Sequence, residues 1–170
     1  MCSFNFNSRP RTLGALLAGA MLIASAACSR THTVRTGDGT LTYKEKGKDG
    51  GTISVTGKDG KTATLTFNQN KLPDDYPKDI PIYAGSKVVM SQSVSENHTH
   101  NLMLETEDGA DKVVDFYKKG LDGNGWKTES TVATPQMTIL AGSKDQRHVM
   151  VQIGDSGAKR SIMQVVSDKQ

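Results

Sequence analysis

The sequence is poor in the residues that most often stabilise very small domains or recognise nucleic acids. It contains two cysteines, Cys2 and Cys28, and aromatic residues make up 5% of its 170 positions. Two cysteines allow at most one disulfide within the chain, which excludes a disulfide-rich scaffold. So few aromatic side chains also leave little material for the stacking platforms that bind single-stranded nucleic acids.

An excess of one charge and a long apolar run are lacking as well. The chain has 21 Lys and Arg residues against 18 Asp and Glu, and a net charge of +3. Basic and acidic residues are interspersed and form no basic stripe, so no nucleic-acid partner is expected. The longest uncharged apolar stretch, Leu13 to Ala27, is short for a membrane-spanning helix of about 20 residues.

The first 28 residues have the organisation of a targeting segment. Arg9 and Arg11 give a positive start, and the uncharged stretch follows and ends in small residues immediately before Cys28. This pattern predicts a signal peptide over residues 1–27, because a signal peptidase requires small residues at its cleavage site. An ordinary secretory signal and an uncleaved anchor are the alternatives.

The segment Ile-Ala-Ser-Ala-Ala-Cys over residues 23–28 resembles the lipobox of bacterial lipoproteins, although leucine is favoured where Ser25 stands. The resemblance implies cleavage before Cys28, a diacylglyceryl thioether on its sulfur and an acyl chain on the new amino terminus. Ser29, rather than Asp, follows Cys28, which implies an outer-membrane location facing the periplasm in a host with two membranes. Residues 28–30 then form a lipidated tether. The mature net charge is +1, because the signal removes two arginines (3 − 2).

Residues 31–68 contain short runs in which apolar residues alternate with Thr or Ser, such as Thr40 to Tyr43, Thr52 to Thr56 and Thr62 to Phe67. A period of two is typical of a half-buried strand. Asp-Gly pairs between the runs favour tight hairpin turns. The region is therefore predicted to be a β-meander with one apolar face and one Thr-rich face. The apolar face is expected to comprise Leu41, Tyr43, Ile53, Val55, Leu65 and Phe67.

Residues 69–81 are punctuated by Pro73, Pro77 and Pro81, with acidic residues between them. Each proline pushes the residue before it toward an extended conformation. This segment is predicted to be a connector, either a domain boundary or a stiff crossover.

Residues 82–169 are predicted to form an antiparallel sheet packed by one helix. The helix is expected to begin with Asp108 as its N-cap and to end in the Gly-containing segment before Trp126. Strand patterns precede and follow it in the order β-β-α-β-β-β-β. The expected fold class is therefore α+β, with an N-terminal β-meander followed by this helix-packed sheet.

Two segments of this region resemble a domain that is common in small bacterial envelope lipoproteins. They are Asp79 to Val89 (DIPIYAGSKVV) and Val114 to Trp126, with its Asp-Phe-Tyr-Lys-Lys and Gly-Trp elements. The resemblance implies a location in the envelope and an α+β fold. It brings no catalytic residue and no cofactor with it.

His98 and His100 are the candidate metal ligands. Residues i and i+2 of a strand point to the same side, so the two imidazoles could share an ion. Zinc sites use three or four protein ligands, and Glu96, His32 and His148 are conceivable additions. The alternative is a solvated loop before a strand.

The remaining residues favour binding over catalysis. No catalytic constellation is recognisable, so the preferred hypothesis is a non-enzymatic interaction or scaffold module that contacts the membrane through Cys28 and an envelope protein through a sheet edge. A small-ligand or metal-binding lipoprotein is the alternative, with Tyr83 and Trp126 as possible walls of a ligand groove. An enzyme is the third possibility.

Overall fold

The computed structural model describes residues 30–47 and 49–168, so the predicted signal peptide and Cys28 lie outside the described residues. Within these two ranges the chain forms ten strands and one helix. In chain order the elements are β1 (Thr31–Thr36), β2 (Gly39–Lys46), β3 (Gly50–Gly57), β4 (Thr62–Phe67), β5 (Lys87–Val94), β6 (Thr99–Thr106), α1 (Ala110–Gly123), β7 (Lys127–Ala133), β8 (Met137–Lys144), β9 (Arg147–Ser156) and β10 (Lys159–Asp168).

All ten strands belong to one antiparallel sheet, in the order β1-β2-β3-β4-β5-β6-β10-β9-β8-β7. The predicted division into a β-meander and a separate helix-packed sheet is therefore wrong. β4 pairs with β5, from Ala63 opposite Val94 to Phe67 opposite Met90. The proline-rich connector does not interrupt the sheet, because β5, the strand that follows it, pairs with β4, the strand that precedes it. This pairing satisfies the edge of β4, which would otherwise expose a row of backbone hydrogen-bonding groups.

Helix α1 presents an apolar stripe to the sheet. Val113, Tyr117 and Leu121 recur every four residues and are buried, and the helix packs against β7 and β9. The N-cap is Gly109, not the predicted Asp108. The Asp108 carboxylate instead accepts hydrogen bonds from the Tyr83 hydroxyl and the Lys112 ammonium group.

The end of α1 is a Schellman motif. Gly125 has φ +80°, and its N–H donates to the Asp122 carbonyl. The N–H of Trp126 donates to the carbonyl of Leu121, five residues earlier. Gly is favoured at this left-handed position because it has no Cβ. Trp126 and Leu121 are both buried, so the same motif directs the chain from the helix into the core.

The core lies between the sheet on one side and α1 with part of the connector on the other. Tyr76 and Ile80 of the connector are only 7% and 3% exposed, so the connector is part of the core. The most deeply buried strand residues come from β6, β8, β9 and β10. They include Leu102, Leu104, Leu140, Val149, Val151, Ile153, Ile162 and Val166.

Candidate functional site

The two faces of the sheet differ in what covers them. In β6, Leu102 and Leu104 are buried, whereas Asn101 and Met103 between them are not. The same alternation recurs in β9 and β10. We call the face carrying Leu102 the helix face, because α1 and the connector pack on it, and the opposite face, carrying Met103, the open face.

The open face carries a row of apolar side chains that crosses seven strands. The strand register places each member of the row directly opposite the next one, and none of them is buried. Only one member is polar. From β4 to β7 the row is Phe67, Met90, Met103, Met163, Gln152, Ile139 and Val132.

A second apolar row lies at the β1 end of the open face. Val34 is opposite Leu41, Leu41 is opposite Val55, and the row continues through Ala63 to Val94. Val34, Leu41 and Val55 are 54%, 42% and 47% exposed. All six residues of the apolar face predicted for residues 31–68 lie on the open face, which the described residues leave uncovered.

Ionisable residues on the open face lie toward the ends of the strands. At one end the Lys159 ammonium group is 3.1 Å from the Glu105 carboxylate, and Lys87 is opposite Glu105 in the register. At the other end His148 Nδ1 is 4.0 Å from Glu129 Oε2. An apolar centre with a polar rim is the usual composition of a protein interface.

The helix face of β3–β5 is different, since it carries hydroxyl groups. Thr52 and Thr66, Ser54 and Thr64, and Thr56 and Thr62 form cross-strand hydrogen bonds of 3.0–3.2 Å. The start of the connector runs beside these strands and leaves a groove of about 360 Å³. The groove is lined by Thr52, Thr64, Thr66, Gln69, Lys71, Leu72, Pro73, Asp74, Asp75, Ser91 and Ser93.

A second cavity of about 330 Å³ adjoins this groove and shares Thr64, Asp75 and Ser93 with it. The second cavity reaches both candidate metal ligands, His98 and His100. We call the two cavities together the hydroxyl groove.

The two histidines contact different partners. His98 lies in the turn before β6 with φ +44°, and its Nδ1 is 3.0 Å from the Asp168 carboxylate. His100 lies on the helix face, where its Nδ1 is 3.2 Å from the Ser93 hydroxyl and 3.9 Å from the Asp75 carboxylate. Among residues 30–47 and 49–168, no group of three or more His, Cys, Asp or Glu side chains could hold a metal ion. The described part of the chain therefore offers the predicted pair no third ligand.

Ser93, His100 and Asp75 do not have the geometry of a catalytic triad. A triad histidine contacts the serine through one ring nitrogen and the carboxylate through the other. Here both neighbours contact Nδ1, and Ser93 also lies 3.4 Å from the Asp75 carboxylate. The arrangement suits hydrogen bonding to a ligand better than proton transfer to a nucleophile.

A buried polar cluster ties the connector to the sheet and the helix. The amide of Gln164, fully buried in β10, accepts a hydrogen bond from the Tyr76 hydroxyl. The amide nitrogen lies 2.6 Å from the Tyr117 hydroxyl and 3.0 Å from the Pro81 carbonyl. Burial raises the pKa of Tyr117 to about 12 and also raises the pKa of Tyr76, so both hydroxyls stay protonated. No local sequence pattern predicts this cluster, because the connector is not helical and Tyr76 and Gln164 are 88 residues apart.

A second cluster holds the connector at Asp79. Its carboxylate accepts hydrogen bonds from the guanidinium of Arg147 and, at 2.9 Å, from the ammonium group of Lys144. These bonds, Arg147 first, lower the pKa of Asp79 to about 2. The Asp79 carbonyl accepts the indole N–H of Trp126 at 3.1 Å, and Arg147 stacks on the Trp126 ring.

The two aromatic residues considered as groove walls are part of the core. Trp126 is 2% exposed and Tyr83 is 4% exposed. The Tyr83 ring packs edge-on against Phe116, and both residues border a shallow depression beside α1. Neither aromatic residue lines the hydroxyl groove.

The membrane predictions fall mainly outside the described residues, because they depend on Cys28 and the segment before it. Within the described ranges, no helix combines the length and the apolar character needed to cross a membrane.

Comparison with known proteins gave one similarity. A family model described as START domain-like matches residues 88–161, from within β5 to within β10, which is less than half of the chain. The large antiparallel sheet with one short helix fits a sheet-dominated, START-like fold. Neither the curated proteins nor the solved structures gave a match.

Proposed function

We propose that the protein is a lipid-anchored, non-enzymatic binding module of the bacterial cell envelope, and that it contacts a partner protein through the open face of its sheet. The observation that carries the proposal is the uncovered apolar row from Phe67 to Val132. Antiparallel sheets with one face on a core usually present polar side chains on the other. Here the alternation places apolar residues on the face that the described chain leaves in contact with water.

The size of the apolar region supports an interface. Residues on one face repeat about every 6.8 Å along a strand and strands lie about 4.8 Å apart, so the seven-strand row covers about 230 Å² and the five-strand row at the β1 end adds about 160 Å². Exposed apolar patches above a few hundred Å² mark interaction sites on soluble proteins. The three central methionines, Met90, Met103 and Met163, are flexible enough to adapt to a partner surface.

The predicted anchor would place this face close to a membrane. Residues 28–30 are the tether between the lipidated Cys28 and β1, and three extended residues span about 10 Å. Two or more acyl chains give stable attachment, whereas one chain gives only marginal binding. A partner would therefore be another component at the surface of the same membrane. Intact mass of the membrane-extracted protein, with Cys28→Ala as control, tests the anchor independently of the interface.

The interface is tested by placing a photoreactive residue at Met163, on the open face, or at Thr42, on the helix face of β2. Both positions are partly exposed. We expect a discrete protein adduct in intact cells from the Met163 position and none from Thr42. The substitution Met103→Glu should remove the adduct, since a carboxylate in an apolar contact is costly unless it is paired. Equal adducts from both positions, or an adduct that survives Met103→Glu, would contradict the proposal.

A second candidate function is the binding of a small polar ligand in the hydroxyl groove. The START domain-like match favours ligand binding, and the groove supplies hydroxyl, carboxylate and imidazole groups. Thermal denaturation with envelope metabolites and with Zn²⁺ tests it, because a ligand at about 100 times its Kd adds about 2.7 kcal/mol. His100→Ala should abolish any shift, whereas the open-face variant Met103→Glu should keep it. A shift that persists in His100→Ala would place the ligand elsewhere.

A further inference from the structure

The two edges of the sheet differ in how well they are protected against pairing with another strand. Sheets usually blunt their edges with charges, bulges, prolines or a covering segment. The β7 edge has a register irregularity between Thr128 and Ser130, and it carries Lys127 and Glu129. The β1 edge pairs with β2 in unbroken register and carries one formally charged residue, Arg35. All six β1 residues are exposed, so no other segment of the described chain covers them.

The backbone groups that β1 leaves free can be identified from its pairing with β2. The N–H of Glu45 donates to the carbonyl of Arg30, so Arg30 and Glu45 form a hydrogen-bonded pair. Hydrogen-bonded and non-hydrogen-bonded pairs alternate along an antiparallel ladder. The backbone groups of His32 and Val34 therefore point toward β2, and those of Thr31, Thr33 and Arg35 point outward.

We propose that a second copy of this chain pairs with β1 along this free edge, in antiparallel orientation about a two-fold axis. The inference goes beyond the proposed function and uses a different surface, since it concerns the edge of the sheet and not its open face. An isologous contact needs a self-complementary strand. β1, with the sequence Thr-His-Thr-Val-Arg-Thr, is well suited to pairing as a strand, because four of its six residues are β-branched and it has no proline.

Symmetry restricts the register. Residues opposite each other in an antiparallel pair share a face, so a two-fold pairing must put a residue opposite its own copy. With Thr33 at the axis, Thr33 pairs with the partner's Thr33, and Thr31 pairs with the partner's Arg35. All three outward-pointing residues of each copy then take part in hydrogen-bonded pairs. With Val34 at the axis, only Thr33 and Arg35 would do so.

Charge favours the same register. With Thr33 at the axis, the Arg35 residues of the two copies lie four residues apart along the strand pair, about 14 Å. With Val34 at the axis that separation along the strands is about 7 Å, and like charges this close repel each other across a strand pair. The two Thr31 residues would also lie about 14 Å apart, related by the axis. An axis along the membrane normal therefore lets both lipid anchors enter the same bilayer.

Thr33→Cys tests the pairing in the full chain, in membranes. In a hydrogen-bonded antiparallel pair the Cα atoms are about 5.5 Å apart, within the range that a disulfide spans. We expect a disulfide-linked dimer on mild oxidation. The matched control is Thr131→Cys in the middle of the exposed β7 edge, which should give none. The parent chain is the background control for its own cysteines.

A blocking variant makes the test stringent. Arg35→Pro added to Thr33→Cys removes an outward N–H without removing a hydrogen bond to β2, and proline is tolerated on a free edge. We expect loss of the disulfide dimer with an unchanged thermal melt. Absence of the dimer in Thr33→Cys, an equal yield from Thr131→Cys, or a dimer that persists with Arg35→Pro would overturn the proposal. None of these outcomes changes the Met163 adduct, so the edge pairing and the open-face interface can fail separately.

Discussion

The two halves of the sheet use their helix faces in opposite ways. Across β6 and β8–β10 this face carries branched apolar side chains that are almost completely buried under α1 and the connector. Across β3 and β4 it carries Thr and Ser, and in β2 it carries Thr40, Thr42, Lys44 and Lys46. Of the described residues between 31 and 68, only Gly50 and Gly51 are buried. The packed core, and with it most of the stability, therefore lies toward the β7 end of the sheet. The β1 end extends away from this core and has few buried residues.

The largest expected effect is the difference in stability loss when the same Leu→Ala substitution is made in each half of the sheet. Leu104→Ala, at a fully buried position of β6, should lower the free energy of unfolding by about 3 kcal/mol, because it leaves a cavity in the core. Leu41→Ala in β2 should cost less than about 0.5 kcal/mol, since Leu41 is 42% exposed. Urea denaturation of both variants provides the measurement. Similar losses would show that a covered core also exists at the β1 end.

A smaller effect is expected where the connector is held at Asp79. Asp79→Asn should cost about 2 kcal/mol at neutral pH, because it weakens charge-assisted hydrogen bonds to Arg147 and Lys144. Because its pKa is lowered in the folded state, the ionised Asp79 carboxylate stabilises the fold at pH values above the ordinary pKa of Asp. This contribution should be lost as the pH falls from about 4 toward about 2.

The measurement is chemical denaturation as a function of pH, and the parent should lose more stability than Asp79→Asn over that interval. Asp74→Asn is the matched control, because its carboxylate pairs with Lys71 at an exposed position. If the stabilities of the parent and the Asp79→Asn variant changed in parallel with pH, Asp79 would not be the residue that attaches the connector.

The smallest effect concerns the hydroxyl face of β3 and β4. Ser54→Ala removes a 3.2 Å hydrogen bond to Thr64 at a partly exposed position, and should cost less than about 1 kcal/mol. A double-mutant cycle with Thr64→Ala isolates the coupling between the two side chains. A coupling above 1 kcal/mol would mean that the cross-strand hydrogen bonds between Thr and Ser hydroxyls contribute substantially to the stability of the β1 end.

Much of the local structure could be predicted from sequence, because local rules decide it. The alternation around Ile53 and Val55 located a strand, and the Gly before Trp126 located the end of the helix. The join between the two regions could not be predicted in this way. Pro73 and Pro77 predicted either a domain boundary or a stiff crossover, and their pattern could not decide between the two. Pairing of β4 with β5 depends on backbone groups that are brought together from opposite ends of the connector. Tyr76, Asp79 and Gln164 were missed for the same reason, since their partners lie 47–88 residues away.

The sequence by itself determined most of the strands, the helix and the apolar and hydroxyl sides of β3 and β4, because a period of two or of 3.6 residues fixes which side chains share a face. It also carries the whole of the lipid-anchor prediction, which depends on residues before β1. Only the tertiary structure decided that α1 and the connector cover the face opposite the methionine row. Which face is covered depends on long-range pairing and packing, so no local sequence pattern predicts it.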